Sequence, residues 1–218
     1  MINSYPGRED RPGQYRAAGI ILGETAQGIG LDVPEDEQQR WGYMMGRLAT
    51  ADDTFEGDRD YYEPGSLLEH LGLDPDEPEL QRYAADLLDA MEGVLAADQI
   101  GEHYDFRRGE AVACVDLLSH EARDRNDDTN TWSQIYRVSL AGQYLDSIRD
   151  AHEDVAEHGN FSVAQLQVHG LKRFVSTAVK VYPRTWRQLT RASHRHGLDR
   201  YLVGTMRDSL SPVTTELN

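Results

Sequence analysis

The sequence predicts an all-α fold, an antiparallel bundle of about seven to nine helices in one domain, and three observations predict it. Apolar residues recur at three- and four-residue spacings along most of the 218 residues. No run of alternating β-branched residues is long enough for a strand. Breaks rich in Gly, Pro, Asp and Asn cut the periodic stretches into helix-length pieces with short connections, the pattern of a bundle. A hydrophobic share of 39% suffices for one core. There is no repeat, low-complexity segment or composition shift to mark a boundary, so 1–218 reads as a single domain with residues 1–13 expected to be flexible.

Each element has its own justification. Residues 15–26 form a modest amphipathic helix. Pro34 followed by Glu35, Asp36 and Glu37 opens a second, since proline and acids suit a first turn; its apolar stripe is Trp41, Met44, Met45 and Leu48. A loop rich in Asp, Gly and Pro covers 57–65, and a short helix over 66–71 is closed by Gly72. Residues 78–99 carry Leu80, Tyr83, Ala84, Leu87, Leu88, Met91, Val94 and Leu95 on one side. Residues 106–123 follow, with Cys114 in the apolar stretch 111–115 read as a buried, inert thiol. After a polar break at 124–130 come a long helix over 131–158 and helices over 161–182, 185–196 and 198–210.

Composition excludes several classes of function. With 38 acids against 22 bases the chain carries −16, so phosphate backbones and anionic membranes are poor partners. The balance is uneven: residues 161–218 hold nine bases and three acids, leaving −22 on the first 160. The longest apolar run, 17–22, is far short of a bilayer span. The N-terminus lacks the pattern of a secretory signal, and one cysteine cannot form an internal disulfide, so a cytoplasmic protein is expected. The sequence leaves oligomeric state open, a homodimer included.

Two acidic constellations stand out. The stripe of the second helix continues at helical spacing to Asp52 and Glu56, with Asp53 beside them. Carboxylates thus fall where the pattern wants apolar groups, and such groups are usually paired or bound to a metal. Hard oxygen donors of this kind suit Mg²⁺. Equally, the helix could end near residue 51 and leave the acids in a solvated loop. In the long helix Asp146, Asp150 and Asp154 share a face, with Ser139 and Gly142 upstream leaving space beside it. A triple of this spacing is expected about once by chance in a chain this acidic, and Arg149 or Glu153 could make ordinary one-turn pairs. Residues 124–130 mimic a calcium loop but have Thr129 where glycine is needed and Ile135 where glutamate is needed, so helix capping accounts for them. His194 and His196 point to different faces, which argues against zinc.

The stretch 141–154, Ala-Gly-Gln-Tyr-Leu-Asp-Ser-Ile-Arg-Asp-Ala-His-Glu-Asp, resembles the second aspartate-rich motif of squalene and phytoene synthases, with Gln143, Asp146, Arg149, Asp150, Glu153 and Asp154 in register. Asp52-Asp53-Thr54-Phe55-Glu56 is similar to the family's first motif, its final Glu being closer to terpene cyclases. Residues 182–187 are similar to a later Leu-Pro-x-x-x-Arg segment. The resemblance implies the class I isoprenoid synthase fold, in which two acidic motifs face each other across a bundle and hold Mg²⁺ against a prenyl diphosphate. It implies that the substrate is ionised and then cyclised or coupled to a second prenyl unit. On that reading Asp52, Asp53, Glu56, Asp146, Asp150 and Asp154 are metal ligands or their supports, with Asp52, Asp146 and Asp150 central to catalysis. Arg149, Gln143 and Arg47 would contact substrate, Lys180 or Arg187 would close over the diphosphate, and Tyr43, Tyr136, Tyr144 and Phe174 could face the allylic cation. A helical Mg²⁺-dependent nucleotide pyrophosphohydrolase and a non-catalytic acidic binding protein are the alternatives.

Overall fold

The computed structural model describes residues 11–57 and 63–198, excepting the side chains of residues 11, 12, 52–57, 153, 157 and 158. The described residues form eight helices: α1 (Arg11–Ile29), α2 (Glu35–Gly57), α3 (Pro64–Leu71), α4 (Pro78–Ala96), α5 (Ile100–Asp124), α6 (Thr129–His158), α7 (Val163–Ala178) and α8 (Pro183–Arg195). The all-α bundle is as the periodicity predicts. The helix expected over 198–210 lies, from residue 199 on, outside the described residues. Among the described residues no helix is long and apolar enough to cross a membrane.

Local chemistry sets most of the ends. Proline opens α3, α4 and α8 at the first turn, where its missing N–H costs nothing. Gly72 closes α3 with φ of 77°, a left-handed conformation that glycine adopts without strain. Asp128 caps α6, its carboxylate accepting from the N–H groups of Asn130 and Thr131. Capping therefore does account for the calcium-like run at 124–130. Ser162 and Gln165 form a reciprocal capping box on α7.

Four helices form a ring. α1 packs on α2, α2 on α5, α5 on α6, and α6 on α1, which leaves α2 diagonal to α6 and α1 diagonal to α5. α4 lies outside α5 and against α3; α7 lies outside α6, and α8 outside α1. The core is filled by the inner stripes: Trp41, Met44 and Leu48 from α2, Leu117 and Leu118 from α5, and Trp132, Ile135 and Val138 from α6. Met44 is buried whereas Met45 is only partly so. α1 and α2 approach so closely that a Cβ on Gly19 would lie 2.5 Å from the Trp41 carbonyl oxygen and 2.8 Å from Gly42 Cα. Only glycine permits that crossing.

Several expected boundaries move. α5 begins at Ile100, six residues early, because His103 and Tyr104 are buried despite their polar neighbours. α7 ends at Ala178, four residues short of the expected end: the chain tightens there, the Lys180 and Val181 N–H groups donating to the Thr177 and Ala178 carbonyls, and only Tyr182 is extended ahead of Pro183. Cys114, expected to be buried, is half-buried and packs at the margin of the core.

Candidate functional site

Chain direction decides where the two acidic stretches fall. α1 runs antiparallel to α2, with Gly19 against Trp41 and Gly42 and Gly23 against Gln38. α2 and α6 start side by side: Asn126, just before α6, exchanges hydrogen bonds with Asp32, just before α2. Tyr15 near the start of α1 donates to Asp146 Oδ2 at 2.5 Å. α2 and α6 therefore run parallel, and their C-terminal halves reach the same end of the ring. Counting at 1.5 Å per residue from the level of Tyr15, positions 52–56 and 150–154 both lie roughly 6–15 Å further along.

The helix α2 continues to Gly57, so residues 52–56 are helical and not in a loop. The side chains of Asp52, Asp53 and Glu56 lie outside the described residues. The α6 acids are described, and each is engaged. Arg149 Nη2 lies 2.7 Å from Asp146 Oδ1, and Arg149 donates twice to the Asp150 carboxylate at 2.5 Å. Asp154 faces Arg107 of α5 at 3.6 Å, and Arg107 also donates to Glu110 at 3.2 Å. These groups are half-buried, Asp154 being the most enclosed with its side chain 12% exposed.

Space opens beside this network. Val138 is buried in the core, but one turn further on the same helix Gly142 is exposed, with no described atom within 4 Å of where its Cβ would be. Gln143 is half-buried and its carbonyl accepts from Ser147. Deeper in, Tyr144 packs edge-on against Tyr104, whose hydroxyl donates to the Leu166 carbonyl at 2.6 Å. Burial, with the Asp154 charge adding to it, pushes the Tyr104 hydroxyl well above the ordinary tyrosine value.

Compared with family models, curated proteins and solved structures, the chain matches none. The site is therefore read from its own residues.

Not every candidate joins it. Arg47 lies over the Tyr43 ring at 5.1 Å and donates to the Tyr43 hydroxyl at 2.6 Å, on the exposed side of α2. The Lys180 carbonyl accepts from Arg137, nine residues and about 13 Å before Asp146 along α6. Arg187 neighbours Gln188, which packs on Gly28, thirteen residues and about 20 Å along α1 from Tyr15. Lys180 and Arg187 thus sit at the other end of the bundle, and the expectation that they close over the acidic end is corrected. The aromatic candidates do not share a pocket either: Tyr136 is tied to Asp116 and Tyr43 faces solvent.

Three residues missed by the sequence reading do join: Tyr15, Arg107 and Glu110. The one-turn spacing of Arg107 and Glu110 was their only local signal. As a home for Mg²⁺, the α6 face offers hard oxygen donors one turn apart. Among the described residues no three carboxylate, imidazole or thiol groups come together as a metal site. A site built on α6 therefore needs donors from α2 as well.

Proposed function

We propose that the chain is a Mg²⁺-dependent enzyme that ionises a prenyl diphosphate and then cyclises it or couples it to a second prenyl unit. The observation supporting this reading is placement. Two acidic stretches with the spacing of paired metal motifs lie on diagonal helices and run to the same end of the ring. Asp52, Asp53 and Glu56 from α2 would hold Mg²⁺ with Asp146, Asp150 and Asp154 from α6. Bound there, the metal would supply positive charge to the departing diphosphate. Arg149, already among the α6 carboxylates, would exchange them for diphosphate oxygens, which its planar fork suits equally. Gln143 lies one turn before it, and the space beside Gly142 gives the substrate a place to enter.

The second reading is a non-catalytic acidic binding protein. Its specific support is that Arg149 and Arg107 already pair with the α6 carboxylates.

The deciding experiment is incubation with Mg²⁺ and prenyl diphosphates of several chain lengths, following diphosphate release and identifying products by mass spectrometry. Release should require metal and should fall at least about 100-fold in Asp150→Ala, given several kcal/mol of charge stabilisation from a bound metal. Folded protein that releases no diphosphate from any prenyl substrate refutes the proposal. Release from nucleoside triphosphates instead would assign the pyrophosphohydrolase alternative.

A further inference from the structure

Two charged helix faces of opposite sign lie on opposite sides of this molecule. Residues 158–198 contain no Asp or Glu but seven Lys and Arg, while the rest of the chain holds all 38 acids. Within that stretch Arg184, Arg187, Arg191 and Arg195 recur every three or four residues along the exposed face of α8. Arg195 pairs with Glu24 at 2.6 Å and Arg184 donates to the Gly28 carbonyl. Arg187 and Arg191 make no ion pair among the described residues. They border a shallow hollow of about 720 Å³ along the helix.

The complement is on α4. Its exposed face carries Glu79, Asp86, Asp89 and Glu92, with Arg82 between the first two. Glu79 is engaged by Arg82 and Tyr83, whereas Asp86, Asp89 and Glu92 make no ion pair among the described residues. From Arg184 to Arg195 the basic stripe rises about 16 Å, and from Glu79 to Glu92 the acidic one rises about 20 Å. α8 lies outside α1 and α4 outside α5, and α1 and α5 are diagonal in the ring. The two stripes therefore face away from each other and cannot meet within one chain.

We propose that a second copy of this chain lays its acidic α4 ridge along the arginine-lined hollow of α8. The argument is charge complementarity: the chain itself presents three carboxylates free of ion pairs among the described residues, Asp86, Asp89 and Glu92, over about 9 Å, against the two arginines that are likewise free, Arg187 and Arg191, about 6 Å apart along α8. Because donor and acceptor faces lie on opposite sides, the contact is head-to-tail and leaves one free face of each kind on every pair.

Sedimentation of the full chain over a range of concentrations tests this. In about 20 mM salt the average mass should rise with concentration past that of a dimer, and about 0.5 M salt should return it to the 24.6 kDa monomer. Two neutralised variants, Arg187→Gln/Arg191→Gln and Asp86→Asn/Asp89→Asn, should each stay monomeric alone. Mixed in equal amounts they should form dimers and stop there, since each keeps one working face. The proposal is overturned by a wild type that stays monomeric at low salt, by association that survives in either variant alone, or by a mixture that does not dimerise. Wild type that binds a short DNA duplex through Arg187 and Arg191 without self-associating also overturns it. None of these outcomes depends on prenyl diphosphate turnover, so the two proposals fail separately.

Discussion

The two ends of the four-helix ring handle charge in opposite ways. At the end where α2 and α6 start, ion pairs run between helices: Glu37 of α2 accepts from Arg125 just after α5, and Arg40 of α2 donates to Glu121 of α5. Asn126 and Asp32 join the two turns there. At the acidic end Arg149 bridges Asp146 and Asp150 on its own helix, and among the described residues the contacts across helices are fewer, Tyr15 of α1 to Asp146 and Arg107 of α5 to Asp154. Pairs between helices resist separation of the ring; pairs along one helix do not. The Arg149 pairs on α6 can therefore exchange partners at less structural cost than the pairs that tie α2 to α5.

The largest stability effect should therefore come from the first end. Glu37 is buried, its side chain 6% exposed, and Arg125 is its main partner. Arg125→Ala leaves that carboxylate with only the longer contact to Arg40 at 3.4 Å. Leaving the buried carboxylate without its main partner should cost about 2–3 kcal/mol in denaturant unfolding. A loss below 1 kcal/mol would mean that this end does not clamp the ring. Next comes Gly19→Ala, which drives a Cβ into the α2 backbone and should cost about 2 kcal/mol.

A smaller effect separates burial from pairing at Glu37. Burial holds its carboxyl above the ordinary value of 4.5, outweighing the opposing pull of Arg125 and Arg40. The folded state therefore binds this proton more tightly than the unfolded state does. That contribution to stability is complete below pH 4.5 and fades as pH rises through the raised folded value. Glu37→Gln has no such proton. The stability of wild type relative to this variant should fall as pH rises above 4.5, as read from urea melts. A difference that stays flat or grows would mean that Arg125 and not burial sets the carboxyl.

How much of this was legible in the sequence follows from the range of each cause. Pro78 and Gly72 act within a turn of themselves, and the ends they set are where they were expected, whereas Asp128 and Pro183 start α6 and α8 two residues earlier than expected. The start of α5 was not, because what makes 100–105 helical is burial of His103 and Tyr104 against other elements. At the acidic end, the Asp146–Arg149–Asp150 group was visible as spacing on one helix. Tyr15 reaches it across 131 positions of chain, a separation no periodicity encodes. Lys180 and Arg187 were misplaced for a related reason: a base in the sequence shows its charge, but the direction of its helix decides which end it serves.

The smallest expected effect is the sharpest test of the acidic end. Gly142 sits inside α6, is exposed, and has no described atom within 4 Å of its Cβ position. Glycine in a helix interior is worth about 0.5–1 kcal/mol less than alanine. Gly142→Ala should therefore stabilise the fold by about that amount, opposite in sign to Gly19→Ala on α1. If the gain appears and diphosphate release falls, the space is occupied by substrate during turnover, and the glycine is kept at a cost in stability because the site needs the room. If stability rises and release is unchanged, substrate does not pass along this face of α6, and entry must lie on the α2 side of the ring.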